Sequence, residues 1–184
     1  MKKIVYFSHG IGANGIETFL INVIEKLDKT KYDATVVIAI DKEVDCLHEQ
    51  RVLDMGVNVV RMGDLDSIFK KLDYFIKVKR FVDKSNFDIV HANRDLLNGI
   101  ILRSAEKAGI KKRICHAHNS KSQYKPTGLF GKLKRYVQQH YYTIMKNWIV
   151  SSSTDLVECS EVAAEYFYSD RKAEDIYKGI RLDE

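Results

Sequence analysis

The stretch Lys3-Ile-Val-Tyr-Phe-Ser-His-Gly10-Ile-Gly12-Ala-Asn-Gly15-Ile-Glu-Thr-Phe19-Leu20 decides the fold. Ile4 to Phe7 are apolar without alternation, the pattern of a short strand buried on both faces. A glycine-rich loop follows. Ile16, Phe19, Leu20, Val23, Ile24 and Leu27 then recur at helical spacing and give a helix one core-facing stripe. Strand, glycine loop and amphipathic helix together open a Rossmann-like unit.

The same alternation runs through the chain. Residues 35–40, 57–61, 87–91, 112–116, 155–159 and 174–177 read as further strands. Between them, helices are expected over 45–55, 65–83, 96–107, from about 129 to 146 or beyond, and 161–168. Gly56 and Gly109 stand where helices need a residue free to turn left-handed. The pattern predicts an α/β domain, a Rossmann-like parallel sheet with helices on both faces. Ligands in such sheets sit at the carboxyl ends of strands, which selects four loops: 8–15, 41–44, 91–95 and 116–127.

Composition narrows the class. A chain of 184 residues is one domain by default. It holds no apolar run long enough for a transmembrane helix, and the short run after Lys2 and Lys3 is broken by Ser8, His9 and Gly10 before it could form a secretory core. Three scattered cysteines, Cys46, Cys115 and Cys159, fit a reducing cytoplasm. The net charge of +5 is unevenly placed: residues 107–154 carry ten Lys or Arg and no acid, leaving the remainder at −5.

Three readings compete for the glycine loop. Gly10, Gly12 and Gly15 spell G-x-G-x-x-G, a dinucleotide fingerprint, and an NAD(P)-dependent oxidoreductase would follow. That reading needs an acid about 20 residues on, at the end of the second strand. Asp41 lies 26 residues beyond Gly15, and no substrate domain accompanies it. A glycine-rich turn without ligand is the second reading.

The third rests on what surrounds the loop. Asn14-Gly15-Ile16-Glu17-Thr18-Phe19 resembles the Gly-Gly-x-Glu-x-Phe opening of N-terminal domains in the family 4 glycosyltransferases, retaining enzymes of the GT-B fold. Phe87-Asp-Ile-Val-His91-Ala-Asn93 resembles their D-x-V-H-x-H strand end. Arg113-Ile-Cys-His116-Ala-His118-Asn119-Ser120 is similar to the H-x-H-N-S loop of capsule and exopolysaccharide enzymes. Cys159-Ser160 and Lys178-Gly179-Ile180 resemble an A-C-S strand and an N-G-I-D hinge, so the resemblance covers nearly the whole chain. Asn14 stands where the first glycine of the pair is usual, and Lys178 where asparagine is usual.

The resemblance implies half of a GT-B architecture: residues 1–168 as the acceptor-side domain, 169–184 as the hinge to a donor-binding domain outside this sequence. The donor would be a nucleotide-sugar, UDP- or GDP-linked, with no cofactor and no metal. The acceptor would be a saccharide or lipid-linked. By resemblance His118 is the catalytic candidate, orienting and hydrogen-bonding a sugar hydroxyl. Gly12, Asn14, Gly15, His91, Asn93, His116, Asn119 and Ser120 are the substrate-binding candidates. A strand-end histidine with structural hydrogen bonds is the plainer reading of His118.

Cys115, His116, His118 and His91 could in principle hold zinc, but no ligand motif frames them. In the basic segment, Leu129, Leu133, Tyr136, Val137, His140 and Ile144 make an apolar helical stripe flanked by Lys132, Lys134 and Arg135. The stripe reads either as a packed face with a basic rim or as a surface for anionic membrane. No nucleic-acid motif accompanies the charge. The expectation is a surface-polysaccharide glycosyltransferase half, cytoplasmic or peripheral on the inner face of the plasma membrane. The alternative is a non-catalytic sugar- or membrane-binding partner of a split transferase.

Overall fold

The computed structural model describes residues 1–41, 46–63, 65, 68–119, 131–168 and 174–175, with backbone only at 68, 69, 71, 132, 174 and 175. The strands are β1 (Lys2–Ser8), β2 (Tyr32–Ile38), β3 (Asn58–Arg61), β4 (Ile89–Ala92), β5 (Lys112–Ala117), β6 (Asp155–Glu158) and β7 (Glu174–Asp175). The helices are α1 (Gly15–Glu25), α2 (Glu49–Asp54), α3 (Ile68–Lys84), α4 (Asn98–Lys107), α5 (Gly131–Ser152) and α6 (Glu161–Tyr168), with a 3-10 turn at Asp95–Leu97. The expected Ser120 contact, the loop around Pro126 and the hinge at residues 178–180 lie outside the described residues.

All seven strands pair in parallel, in the order β3-β2-β1-β4-β5-β6-β7. Strand alternation divides β1 between two cores. Val5 and Phe7 pack with Tyr74, Val78, Val82, Ile101, Leu102 and Ile149 on one face. Ile4 and Tyr6 pack with Leu20, Ile21, Ile24 and Val52 on the other. Burial on both faces explains why the strand residues carry no polar alternation. Gly56 and Gly109 follow α2 and α4 at φ +77° and +78°, the left-handed caps that the sequence calls for.

The winding direction reverses between β1 and β4. Chain leaving β1 crosses to β2 on one side, whereas β4 continues to β5 on the other. The two loops at the carboxyl ends of β1 and β4 therefore diverge and leave a crevice.

One element departs from its expected role. The stripe Leu133, Tyr136, Val137, Ile144 on α5 is exposed, with Leu133, Tyr136 and Val137 near 60% accessible, so the packed-face reading of it is corrected. The buried side chains of α5 among the described residues are Met145, Ile149 and Ser152 instead. Helix α5 meets α4 where Gly99 approaches the Met145 backbone, and this contact turns the side of Met145, Ile149 and Ser152, not the stripe, toward the core.

Candidate functional site at the β1–β4 crevice

The crevice holds a cavity of 240 Å³ lined by Ser8, His9, Asn14, Ile16, Glu17, Asn93, Arg94, Asp95 and Leu97. Its first wall is the glycine loop, shaped by the side-chain cap of α1 and by a Glu17 carboxylate that reaches back into the loop. Asn14 is the N-cap of α1 and its Oδ1 accepts from Ile16 N at 3.1 Å and Glu17 N at 3.0 Å. Glu17, buried, folds back so that its carboxylate accepts from Gly12 N at 2.5 Å. A Cβ on Gly12 would sit 2.6 Å from that carboxylate, and one on Gly10 3.1 Å from it. Thus the N–H groups of Ile16 and Glu17 at the helix start are capped by the Asn14 side chain, and the loop N–H of Gly12 is taken by the Glu17 carboxylate, so all three are already bonded within this chain.

Glu17→Ala is expected to cost about 2 kcal/mol, because it strips a charged acceptor from a half-buried N–H. Urea unfolding of the variant checks this. Gly12→Ala should cost less than half as much, since its clash is with the movable end of one side chain.

The second wall follows β4. Asn98, buried at the start of α4, accepts Arg94 N at 2.6 Å through Oδ1 and turns its amide nitrogen to Cys115 Sγ and His116 O, at 3.2 and 3.4 Å. That clamp fixes Arg94 in the crevice. The guanidinium donates to Ser8 O at 3.2 Å and to His9 Nδ1 at 2.8 Å, and stands 5.9 Å from the Tyr74 ring centre. It is 8% exposed. Burial lowers its pKa, which Tyr74, Asp95 and Glu17 oppose, and no carboxylate among the described residues ion-pairs with it. His9 is held below its ordinary pKa by partial burial and then by Arg94, so it is neutral at pH 7 and accepts through Nδ1. Asp95 adopts φ +51°, a left-handed conformation that aspartate tolerates, and its Oδ2 accepts from Asn119 Nδ2 at 2.8 Å.

Behind this wall lies a column of imidazoles. His91 and His116 stack at 5.5 Å and 11°, His116 and His118 at 4.0 Å and 25°. Phe19 of α1 meets His116 and His118 edge-on. His116 is fully buried and His91 nearly so, which makes both part of the sheet's covered face. Burial lowers His91 to about 4. His118 Nε2 donates to Asn93 Oδ1 at 2.9 Å when Asn93 Nδ2 faces His91 O at 3.4 Å. Of the residues expected from the sequence, Asn14 and Asn93 line the cavity, Gly12 shapes it, and Asn119 holds Asp95. His118 stands behind Asn93. Among the described residues no three His, Cys, Asp or Glu side chains converge as a metal site.

Ser8, His9, Glu17, Arg94 and Asp95 carry most of the polar lining and were not singled out by sequence. Their signal was positional: Ser8 ends β1, His9 follows it, Arg94 and Asp95 follow β4, and Glu17 lies in the first turn of α1, all beside the switch point. Asp41, the acid that a bound ribose would require, instead lies 3.6 Å from Lys70.

The profile of Glycosyltransferase Family 4 matches residues 13–184. EpsF of Bacillus subtilis (strain 168), assigned as a glycosyltransferase, is 23% identical over 174 residues, 94% of this chain and 42% of EpsF. The chain thus spans less than half the length of that relative. Among solved structures, Anabaena HepE in complex with UDP and glucose superposes with a TM-score of 0.65 at 15% identity, over 98% of this chain and 45% of HepE. MurG of Acinetobacter baumannii gives 0.56 at 12%, over 96% and 44%. At these identities the likeness shows the fold, a Rossmann-like sheet matching half of each of those chains.

Proposed function

The chain belongs to glycosyltransferase family 4, and on that premise we propose that it forms the acceptor-side wall of a sugar-transfer cleft. A donor-binding domain, in cis or in trans, would supply the other wall. The reaction is hexosyl transfer from a UDP- or GDP-sugar to a saccharide or lipid-linked acceptor in surface polysaccharide synthesis. The observation that carries this reading is the open cavity, with charged and polar side chains in its lining, at the switch point of the sheet. A sugar presents hydroxyls, and the lining offers acceptors in Glu17, Asp95 and Asn93 and a donor in Arg94. The inward bonding of the glycine-loop N–H groups favours acceptor over donor phosphate on this side.

In this reading His118 is a positioning residue. Its imidazole, packed on His116 and Phe19, fixes the Asn93 amide, and Asn93 meets the acceptor. Gly12, Gly15 and Asn14 set the loop shape. The test is complementation: this chain with the carboxyl-terminal half of EpsF, a labelled nucleotide-sugar and a lipid-linked saccharide. Label should reach the acceptor only with both halves present, and His118→Ala should lower the rate about 10²-fold. Unchanged transfer in His118→Ala would remove it from the site. Acceptor binding without transfer would favour the non-catalytic partner, and tight NAD(P) binding the oxidoreductase.

A membrane reading is favoured by the exposed α5 stripe. Leu133, Tyr136, Val137 and Ile144 lie exposed beside Lys134 and Arg135 on α5. An apolar face with a basic flank suits an anionic bilayer. Among the described residues no helix is long and apolar enough to cross a membrane. In this reading the contact is peripheral, on the inner face of the plasma membrane. The chain should sediment with phosphatidylglycerol vesicles at low salt. Leu133→Glu combined with Val137→Glu should reduce the bound fraction at least tenfold, and equal binding to phosphatidylcholine would refute the electrostatic part.

A further inference from the structure

Resting on the reading of the crevice as an acceptor site, we infer that Arg94 locks His9 in its Nε2–H tautomer, so that His9 meets the acceptor as a hydrogen-bond donor and not as a base. The lock joins two chain segments that meet at the switch point. His9 directly follows β1, and Ala39 N, just past the end of β2, donates to its carbonyl at 3.1 Å. Arg94 follows β4. Its N–H is bonded to Asn98 Oδ1 at 2.6 Å, and its guanidinium stands against the buried Tyr74 ring. Arg94 Nη1 carries two protons. One goes to Ser8 O at 3.2 Å and the other to His9 Nδ1 at 2.8 Å.

A guanidinium has donors only and stays protonated in a protein, so His9 Nδ1 is the acceptor of that bond. A neutral imidazole with a bare Nδ1 carries its proton on Nε2. Neither nitrogen can then take a proton from a sugar: Nδ1 is occupied, and Nε2 already bears one. What Nε2 offers is a donor to a hydroxyl oxygen. The ring is exposed in the cavity lining, and its Nε2 has no partner among the described residues. The charged groups facing it are Arg94, Glu17 and Asp95. Burial and then Arg94 lower the His9 pKa, against Glu17, so the ring is neutral at pH 7. A second proton would remove the acceptor and set an imidazolium against the guanidinium. His118 acts through Asn93, whereas His9 is the histidine of the lining itself. Arg94 is thereby its positioning residue.

Long-range proton–nitrogen correlation on the chain with nitrogen-labelled histidine reads the tautomer directly, the His9 signals being assigned from His9→Gln. At pH 7 His9 should show a protonated Nε2 and a bare Nδ1. Arg94→Met removes the donor and its charge, and should release the ring into both tautomers and raise its titration midpoint. The complementation assay reads the role. His9→Ala should lower kcat/KM for the lipid-linked saccharide about tenfold, the scale of one lost hydrogen bond. His9→Gln keeps an N–H near the place of Nε2 and has no basic nitrogen, so it should restore transfer to within about threefold of the wild type. The ring is exposed, so neither variant strips the core. A bare Nε2, or a ring charged at pH 7, overturns the lock. His9→Gln as inactive as His9→Ala overturns the donor role and makes His9 a base. Unchanged transfer in His9→Ala also overturns it, assigns the Nε2–H to water and leaves the transferase standing. A wild-type chain that supports no transfer removes the acceptor reading and the role of His9 with it, while the tautomer stands on the nitrogen spectrum alone.

Discussion

Gly99→Val is expected to destabilise the protein by about 3 kcal/mol, and Gly99→Ala by about 2. The crossing of α4 and α5 depends on position 99 having no side chain. A Cβ there would sit 2.6 Å from the Met145 carbonyl oxygen and 3.1 Å from its Cα. These are backbone atoms of a helix anchored by Ile149 and Ser152 in the core, so they cannot give way as a side chain could. Alanine would gain up to about 1 kcal/mol in helix propensity over glycine. The overlap outweighs that gain, because relieving it means separating two packed helices. Urea denaturation reads the loss, and an unchanged midpoint for Gly99→Ala would show that α5 slides freely on α4. The same crossing sets which side of α5 faces the core, so Gly99→Val should also weaken vesicle binding.

Acidification is expected to remove about 3 kcal/mol of stability between pH 6.5 and 4 through His91 alone. Burial lowers His91 from 6.5 to about 4 in the folded chain. Between those values the unfolded chain takes up a proton that the folded chain refuses, so stability falls as pH falls. His9, lowered by burial and Arg94, acts in the same direction. At the other end, burial raises Cys115 from 9.0 to about 12 and Tyr6 from 10.0 to about 12. Those groups ionise first in the unfolded chain, so stability also declines above pH 9. A plateau from about pH 6.5 to 9 should appear in unfolding midpoints, and His91→Gln should flatten its acid side. A wild-type midpoint unchanged from pH 7 to pH 4 would mean that the His91 ring is reached by water.

Most elements of the fold were legible because burial on both faces leaves a direct mark on composition. Ile4 to Phe7 read as a covered strand, and α6 lies at Glu161–Tyr168, the range expected. Strand ends were less legible: β2 begins at Tyr32 and ends at Ile38 rather than at residue 40, because pairing with β1 sets its limits. The α5 stripe was visible in sequence but not its fate. Periodicity reports that a helix has an apolar side, and nothing in it reports whether packing turns that side toward the core.

The site divides in the same way. Asn14, Glu17 and Gly12 form a local unit within six residues, in which Asn14 caps α1 and Glu17 holds Gly12 N. The family, too, was written in local motifs, since chemistry at strand ends is carried by short runs of residues. What only the tertiary structure decided is the company those residues keep. Ser8 and Arg94 are 86 positions apart and meet because β1 and β4 pair side by side at the switch point. His91, His116 and His118 look alike in the sequence, yet the pairing of β4 with β5 stacks all three in one buried column in which His118 is the one that bonds Asn93. Sequence fixes the types of groups available because side-chain chemistry is local. Their pairing is set by strand order, a long-range property that local spacing does not contain.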